Sequence, residues 1–508
     1  MEYTVLSGYA PALLVLATAA SYYYLSSQAK KDRRPRSMSF SSQAMIFNAF
    51  PESSAVAPPI VNILFLYKKC PTKEKLVEAA KLLMFYDRFR CMPVLVPGTS
   101  QYEFVECEQS SEPASFVTSE RVSNEEEMKT KIDMICADTY SLSKEGVRPL
   151  WSFVRIENAA AGELHAVIVR VHHVIGDGIS LVETMSKLFK LEDGKDFKLD
   201  LSIGGGAKGS RSLNLKTAAS LAKAFVEVLT LATSPFDSNL PFSHTYPKDR
   251  SELKMSSKRK TVYFPTFKID FIKSIKNKAT ESLGQGVTIN DVIFSATAGA
   301  ILRYSERVEA SSAAKRSHLR ALMPVAFPRK DLESPHYALR NKWAFVSAEL
   351  PMNPKGPVDR LIDATKMSNS LKSKPNAGVQ MWVQSNLLPL LPRFLARKTA
   401  QDIFSRHSIV FSNVRGPETS LQMCGESLVG LQVIFPNILP QTLAISYGGG
   451  LFYNMSIDAE AMAGADELLP KLFYEELLAL ADKFGVSSAK EDVLYKPTKS
   501  AMFFGDNF

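Results

Sequence analysis

The chain has 508 residues, 45% hydrophobic and 22% charged, with a formal net charge of +9. That length is too great for one simple core and implies two domains of roughly 200 residues each, in an ordinary globular composition. The moderate positive charge suits an anionic phospholipid surface or a phosphorylated co-substrate, a merely basic soluble surface explains much of it equally well, and the sequence shows no nucleic-acid module.

Tyr3 to Ala29 contains no charged residue, and Lys30, Lys31, Arg33, Arg34 and Arg36 follow at once. The apolar stretch is about the length a bilayer needs, and the positive-inside rule puts its basic flank in the cytosol. Residues 1–36 therefore read as a single-span anchor. A cleaved signal peptide competes, but there is no basic n-region before the apolar stretch. The five cysteines are widely spaced with no CxxC pair, which reads as reduced thiols rather than a disulfide or zinc framework.

Residues 37–191 read as the first α/β domain. Ile60 to Tyr67 is a continuous apolar strand, and Lys73 to Arg90 a helix with a stripe at Leu76, Ala80, Leu83 and Met84. Glu125 to Leu142 reads as a second helix. Pro149-Leu150-Trp151 then leads into the strand SFVRIE. Trp151 is expected to pack beneath the next strand, a direct substrate contact being the lesser reading.

Leu164 to Leu188 is the stretch that organises the rest. Val167, Val169 and Val171 alternate with Ala166, Ile168 and Arg170, as in a strand, which ends in His172-His173. Gly176 and Gly178 bracket Asp177 in what reads as a tight turn, and a helix pattern follows from Ile179. A histidine at a strand end, with a carboxylate returned beside it, suits general-base chemistry near neutral pH. Because neighbouring strand residues point to opposite faces, His173 is assigned to a cleft and His172 to support. A metal-binding pair or a plain polar strand end is the competing account, which the whole His-His-x-x-x-Asp-Gly grouping outweighs.

Residues 192–257 read as a crossover linker and an amphipathic helix. Gly204, Gly206 and Gly209 formally satisfy GxGxxG, but no βαβ unit feeds them, so a flexible linker is the better reading. Lys216, Lys223 and Glu227 interrupt the apolar run Leu213 to Thr233, which argues for a helix packed on the protein or lying at a membrane interface, and against a second span. Residues 258–508 read as the second α/β domain. RKTVYFPTF alternates as a strand, and a helix opens at Thr288-Ile289-Asn290-Asp291, where capping by Thr288 or Asn290 and a place near reacting groups are both open. Gln384 to Arg397 reads as a core helix pair, with a lipid-facing surface as the sharper alternative. Strands at Leu443 to Tyr447 and Leu451 to Ile457 form a hairpin around Gly448-Gly449-Gly450.

HHVIGDG resembles the HHxxxDG signature of the CoA-dependent acyltransferase superfamily. Pro149-Leu150-Trp151, Asn290-Asp291-Val292 and Ser412-Asn413-Val414-x-Gly416-Pro417 resemble the PLW, ND and SNVxGP boxes of the wax ester synthase/diacylglycerol acyltransferase family. The resemblance runs from about residue 45 to 480. Asp87-Arg88-Phe89-Arg90 is similar to that family's early helix ending. Leu339-Arg340-Asn341-Lys342 stands where the family has a GNR-like motif; the Gly is missing and the Arg is Lys, so no role is transferred to it.

The resemblance implies a two-domain α/β, chloramphenicol-acetyltransferase-like fold with a central tunnel, and direct acyl transfer from fatty acyl-CoA to a long-chain alcohol or to diacylglycerol. It implies His173 as general base, His172 and Asp177 in its support, Gly178, Trp151, Asn290 and Asp291 around them, acyl-CoA as co-substrate, no bound cofactor and no metal. The neighbourhood of Asn290 is a candidate for binding the oxyanion. With the anchor, the body is expected on the cytosolic side of the endoplasmic reticulum membrane or on lipid droplets, meeting membrane lipid there. The absence of a Walker A loop, HExxH and a GxSxG elbow disfavours nucleotide hydrolysis, metalloprotease and serine-esterase chemistry. Two alternatives are a superfamily acyltransferase with another acceptor and a catalytically silent, membrane-tethered lipid-binding protein.

Overall fold

β1 (Ile60–Tyr67) is apolar at seven of its eight positions because it runs through the middle of a sheet, buried along its whole length. The computed structural model describes residues 38–47, 58–98, 101–108, 112–138, 150–198, 215–238, 259–309, 318–327, 334–352, 355–487 and 492–497. The expected span at Tyr3–Ala29, Pro149 and the three glycines of the linker lie outside them. Among the described residues no helix is long and apolar enough to cross a membrane.

The first sheet has seven strands in the order β4 (Val117–Val122), β5 (Trp151–Asn158), β6 (His165–His172), β1, β14 (Glu426–Ile434), β13 (Leu421–Met423) and β7 (Phe189–Leu191). A hairpin of β2 (Cys91–Leu95) and β3 (Tyr102–Glu106) lies beside it. The second sheet runs β11 (Trp343–Glu349), β10 (Arg320–Ala326), β12 (Ile409–Val414), β15 (Gln441–Tyr447), β16 (Gly450–Asp458), β9 (Thr266–Lys268) and β17 (Val493–Tyr495), with β8 (Arg259–Tyr263) also pairing β16.

Two strands of the second sequence half therefore complete the first sheet. Residues 258–508 thus contribute to both sheets: β14 pairs along β1, with Asn62 opposite Ile434. Strand pairing recognises edge and register, not position in the chain, and β1 offers an apolar edge that β14 covers. Inside the join, the Asn62 side chain donates to Ile434 O at 3.3 Å and accepts from Arg170 Nε at 3.2 Å. Asn454 of β16 donates to Gln432 Oε1 at 2.7 Å and Val433 O at 2.9 Å, tying the second sheet to the first.

Helices α1 (Phe40–Phe47), α2 (Lys73–Leu83), α3 (Asp87–Arg90), α4 (Glu125–Ala137) and α5 (Gly178–Ser186) belong to the first half. The expected helix Lys73–Arg90 is two helices: the extended backbone of Tyr86 ends the first course and α3 starts anew. α6 (Leu215–Leu229) crosses over. The second half carries α7 (Ile269–Leu283), α8 (Ile289–Glu309), α9 (Pro357–Ser373), α10 (Asn376–Asn386), α11 (Arg393–Ser405) and α12 (Ala465–Lys483). α8 is the spine, buried between α9, α12 and the second sheet through Val292, Ile293, Ala296, Ala300 and Tyr304. The run RKTVYFPTF is split into β8 and β9 rather than forming one strand, with Phe264 between them donating its N–H to Tyr453 O at 3.0 Å. The glycine hairpin turns on Gly448 and Gly449, at φ +53° and +82°, a pair of left-handed residues that two-residue hairpins favour.

The SNVxGP box has a packing cause. Gly416 donates to Ser446 Oγ at 3.1 Å, and a Cβ there would stand 2.0 Å from the Ser446 carbonyl oxygen, a backbone atom that cannot swing away. Gly416→Ala should therefore cost about 2 kcal/mol or more of stability. Chemical denaturation of the two proteins measures it, and equal midpoints would contradict the close approach.

Candidate active site

The antiparallel register of β1 and β6 sets His172 opposite Ile60. His173 is the next residue, just off the end of the strand, with its N–H donated to Pro59 O at 2.8 Å. His172 is fully buried, whereas His173 keeps partial access. Both faces of β6 are covered, so the alternation of the sequence separates two packed layers rather than core from solvent.

The ring of His173 is oriented by a residue 168 positions away. Asn341, itself buried, has Oδ1 3.0 Å from His173 Nδ1. Its Nδ2 donates to His173 O at 2.8 Å and Val174 O at 3.2 Å, and lies 3.1 Å from Ser42 Oγ on α1. Carbonyl oxygens only accept, so the amide nitrogen must be the atom facing them, and Oδ1 must be the atom facing the ring. His173 Nδ1 then carries the proton and Nε2 is left with its lone pair. The neighbour is in the opposite state: Val174 N–H donates to His172 Nδ1 at 3.1 Å, so that nitrogen is the acceptor. Phe435 stacks on the His173 ring with centroids 5.6 Å apart, and Trp343 meets it edge-on at 6.4 Å.

Asp177 is the N-cap of α5. Its Oδ1 accepts from Ser180 N and Ser180 Oγ, both at 3.1 Å, and its Oδ2 accepts from Lys342 N at 2.7 Å. Asp177 N donates to Arg340 O at 3.1 Å. The carboxylate thus staples the histidine turn to the 340–342 segment, and ring orientation falls to Asn341. The turn does not use glycine for left-handed backbone, since neither Gly176 nor Gly178 has positive φ. Gly176 is required for space: a Cβ would lie 3.0 Å from Ser180 Cβ and 3.2 Å from a Leu339 methyl. Gly178 opens α5 with open space around it.

The early DRFR segment holds the same turn from the other side. Arg88, buried, donates to Val174 O at 3.2 Å and Ile175 O at 3.1 Å. Asp87 accepts from Arg90 at 2.7 Å, pairs with His336 Nδ1 at 2.6 Å, and donates its N–H to Pro335 O, so it docks the 334–342 segment. Trp151 is fully buried, stacked on Phe116 at 4.8 Å, with its indole N–H donated to Phe89 O at 2.8 Å. Asn290 and Asp291 have a structural account. Asp291 accepts from Thr288 N and Oγ1 at 2.8 Å while Thr288 Oγ1 accepts from Asp291 N, a reciprocal helix cap. Asn290 Oδ1 accepts from Asn413, joining the ND and SNVxGP boxes.

Burial drives both histidines down. His172 is held at about 3, by desolvation first and then by the charge His173 would carry. His173 lies below its ordinary value because burial disfavours imidazolium, opposed by the charge of Asp177 and the bond to Asn341. Sequence reasoning missed Asn341, Ser42, Arg88, Trp343 and Phe435. The GNR-like position of Asn341 and the family-like helix ending at Arg88 were the available signals. Among the described residues no group of three or more His, Cys, Asp or Glu side chains could hold a metal ion.

Two α/β sheets meeting over an HHxxxDG histidine define the chloramphenicol-acetyltransferase-like fold class of acyltransferases and condensation domains. The fold is similar to the wax ester synthase/diacylglycerol acyltransferase of Marinobacter aquaeolei VT8, with TM-score 0.57 and 16% identity over 87% of this chain and 98% of that one. It is similar also to the trichothecene 15-O-acetyltransferase of Fusarium sporotrichioides, with TM-score 0.58 and 12% identity over 88% and 94%. Residues 339–480 match the family model described as the WS/DGAT C-terminal domain. Two Mycobacterium tuberculosis proteins, provisionally named diacylglycerol O-acyltransferases, are 24% identical over 313 residues, 57% of this chain; the chain spans 59% of their length. These likenesses together support the wax ester synthase/diacylglycerol acyltransferase family, whose C-terminal domain model matches residues 339–480.

Asn341→Asp keeps an acceptor at Nδ1 and adds a negative charge, which stabilises imidazolium. Since base chemistry needs the neutral ring, the acid limb of kcat/KM, expected below pH 6.5 in the natural chain, should move up by about one pH unit or more. A pH–rate profile of the two proteins reads it; an unmoved limb would separate Asn341 from the titrating group.

Proposed function

We propose that the protein is an acyl-CoA-dependent O-acyltransferase in which His173 is the general base, acting on a long-chain alcohol to give a wax ester or on diacylglycerol to give triacylglycerol. The observation that carries this reading is the amide of Asn341, anchored on two backbone carbonyls, holding His173 with Nε2 bare beside the rings of Trp343 and Phe435. The acceptors named for the relatives, diacylglycerol and the alcohol of a wax ester, supply the substrate class.

His173 Nε2 takes the hydroxyl proton as the alcohol oxygen attacks the thioester carbonyl carbon. The tetrahedral oxyanion collapses, the C–S bond breaks, and the imidazolium returns its proton to the departing CoA thiolate. No acyl-enzyme forms, so the acceptor and the acyl-CoA must be present together, in the tunnel that this reading places between the two sheets. Asn341 Oδ1 bonds the Nδ1–H in both protonation states and keeps the ring from turning. The Asp177 charge offsets part of the burial cost of imidazolium. Asn290 was the expected neighbourhood for the oxyanion. Its amide oxygen accepts from Asn413, and in this reading its amide nitrogen is the group that would donate to the oxyanion.

The placement at the cytosolic face of the endoplasmic reticulum is part of the proposal and rests on Tyr3–Ala29 with its basic flank. Protection of the C-terminal body from protease in sealed microsomes would contradict it.

His173→Ala should lower turnover by two to four orders of magnitude, about the worth of a general base, in a chain that still folds. Product analysis with labelled acyl-CoA and competing alcohol, diacylglycerol and amine acceptors measures both activity and class. More than about a tenth of turnover left in His173→Ala, or an amide as the main product, would overturn the assignment.

A further inference from the structure

The crossover helix α6 and the helices α10 and α11 form a layer whose inner side is a small core of Ala224, Val379 and Val383. The layer's outer side is apolar as well. Val226 is 59% exposed and Phe394 is 69% exposed, with Leu221, Leu229, Trp382 and Leu395 also open. Half of the large exposed hydrophobic side chains among the described residues lie in or beside this layer. On α6, Leu221, Phe225 and Leu229 follow one another at four-residue steps, and Phe225 approaches Trp382 of α10 with ring centroids 6.0 Å apart, so the helices share one surface. The expectation of a core helix pair at Gln384–Arg397 holds only in part: Leu387 and Leu388 pack against the small core, whereas Leu390, Phe394 and Leu395 are exposed, Phe394 the most of any apolar residue in the layer.

Charge selects what covers this surface. From Lys372 to Arg406 the sequence carries six basic residues and one acidic residue, Asp402, which is paired with Lys398 at 2.6 Å. Glu227 of α6 accepts from Asn376 at 2.7 Å and faces Lys374 at 3.7 Å. A second copy of the same basic run would be repelled, whereas anionic headgroups would be attracted. The chain's course gives an independent argument. α1 packs against α10. The uncharged run Tyr3–Ala29 ends nine residues before Met38, where the described chain begins. At no more than about 3.6 Å per residue, nine residues cannot set the end of that run more than roughly 35 Å from Met38.

We propose that the outer face of α6, α10 and α11 is a docking surface for anionic phospholipid bilayers, with Val226, Trp382 and Phe394 seated among the acyl chains. α1 then spans from that face to the reacting group, since its Ser42 lies against Asn341, which holds His173. The docking surface stands independently of the transferase reading.

The test uses the full chain on vesicles of phosphatidylcholine and phosphatidylserine whose acyl chains carry bromine, a short-range quencher of indole. The difference between the natural chain and Trp382→Phe isolates Trp382 from Trp151 and Trp343. That emission should be quenched on the mixed vesicles, less so without phosphatidylserine, and the quenching should be lost in Val226→Asp/Phe394→Asp even where other segments keep the chain bound. The double variant should retain its thermal midpoint and its activity on detergent-dispersed acceptor. Vesicle-bound chain with unquenched Trp382, quenching that survives the double substitution, or no vesicle binding would each overturn the proposal. A lipid-independent dimer, seen by sedimentation and dissolved by the same substitutions, would overturn it too and name a second copy as the occupant.

Discussion

One side-chain amide sets the terms for this site. Asn341 comes from the second half of the chain and reaches into the first, where it donates to the carbonyls of His173 and Val174 and accepts at the His173 ring. A buried amide that satisfies carbonyls and a ring nitrogen at once is costly to break, because each partner would be left unpaired away from water. The bond also settles a chemical question that a histidine alone leaves open, namely which ring nitrogen is bare. The rest of the site protects this contact. Asp177 staples the 340–342 backbone to α5, Arg88 holds the carbonyls of Val174 and Ile175, and Asp87 docks the strap that carries Asn341.

The sheet crossing serves the same end. Because β13 and β14 return to complete the first sheet, the segment after β14 delivers Phe435 to the His173 ring, while β11 of the second sheet begins with Trp343 at its edge. Burial by these rings lowers the histidine's affinity for a proton, and the nearby carboxylate charge restores part of it. Burial thus favours the neutral ring, and the carboxylate charge makes imidazolium less costly to form. His172 plays the opposite part: fully enclosed and held neutral down to about 3, it is a packing and acceptor group.

Local chemistry was legible in the sequence, and long-range pairing was not. The continuous apolar run Ile60–Tyr67 is a central strand with those bounds, and the histidine pair stands at the end of the strand that alternation marks out. The helix cap at Thr288–Asp291 follows from residue types three apart. Asn341 was passed over because its meaning lies in a contact across 168 residues, which no periodicity records. The split of Lys73–Arg90, the return of Leu421–Ile434 to the first sheet and the open apolar side of α11 have the same origin: tertiary partners decide where a helix stops, which edge a strand takes and which face stays uncovered. For the glycines flanking Asp177 the residue type was meaningful but its cause was different, close packing at Gly176 in place of left-handed backbone.

The measurement that bears most directly on this account is the tautomeric state of His173, read from imidazole nitrogen shifts in protein labelled with ¹⁵N-histidine and assigned by difference with His173→Gln. At pH 7 the account requires a neutral ring with the proton on Nδ1 and a bare Nε2, changing to a mixture of tautomers in Asn341→Ala. A proton on Nε2, or a ring already charged at that pH, would contradict it.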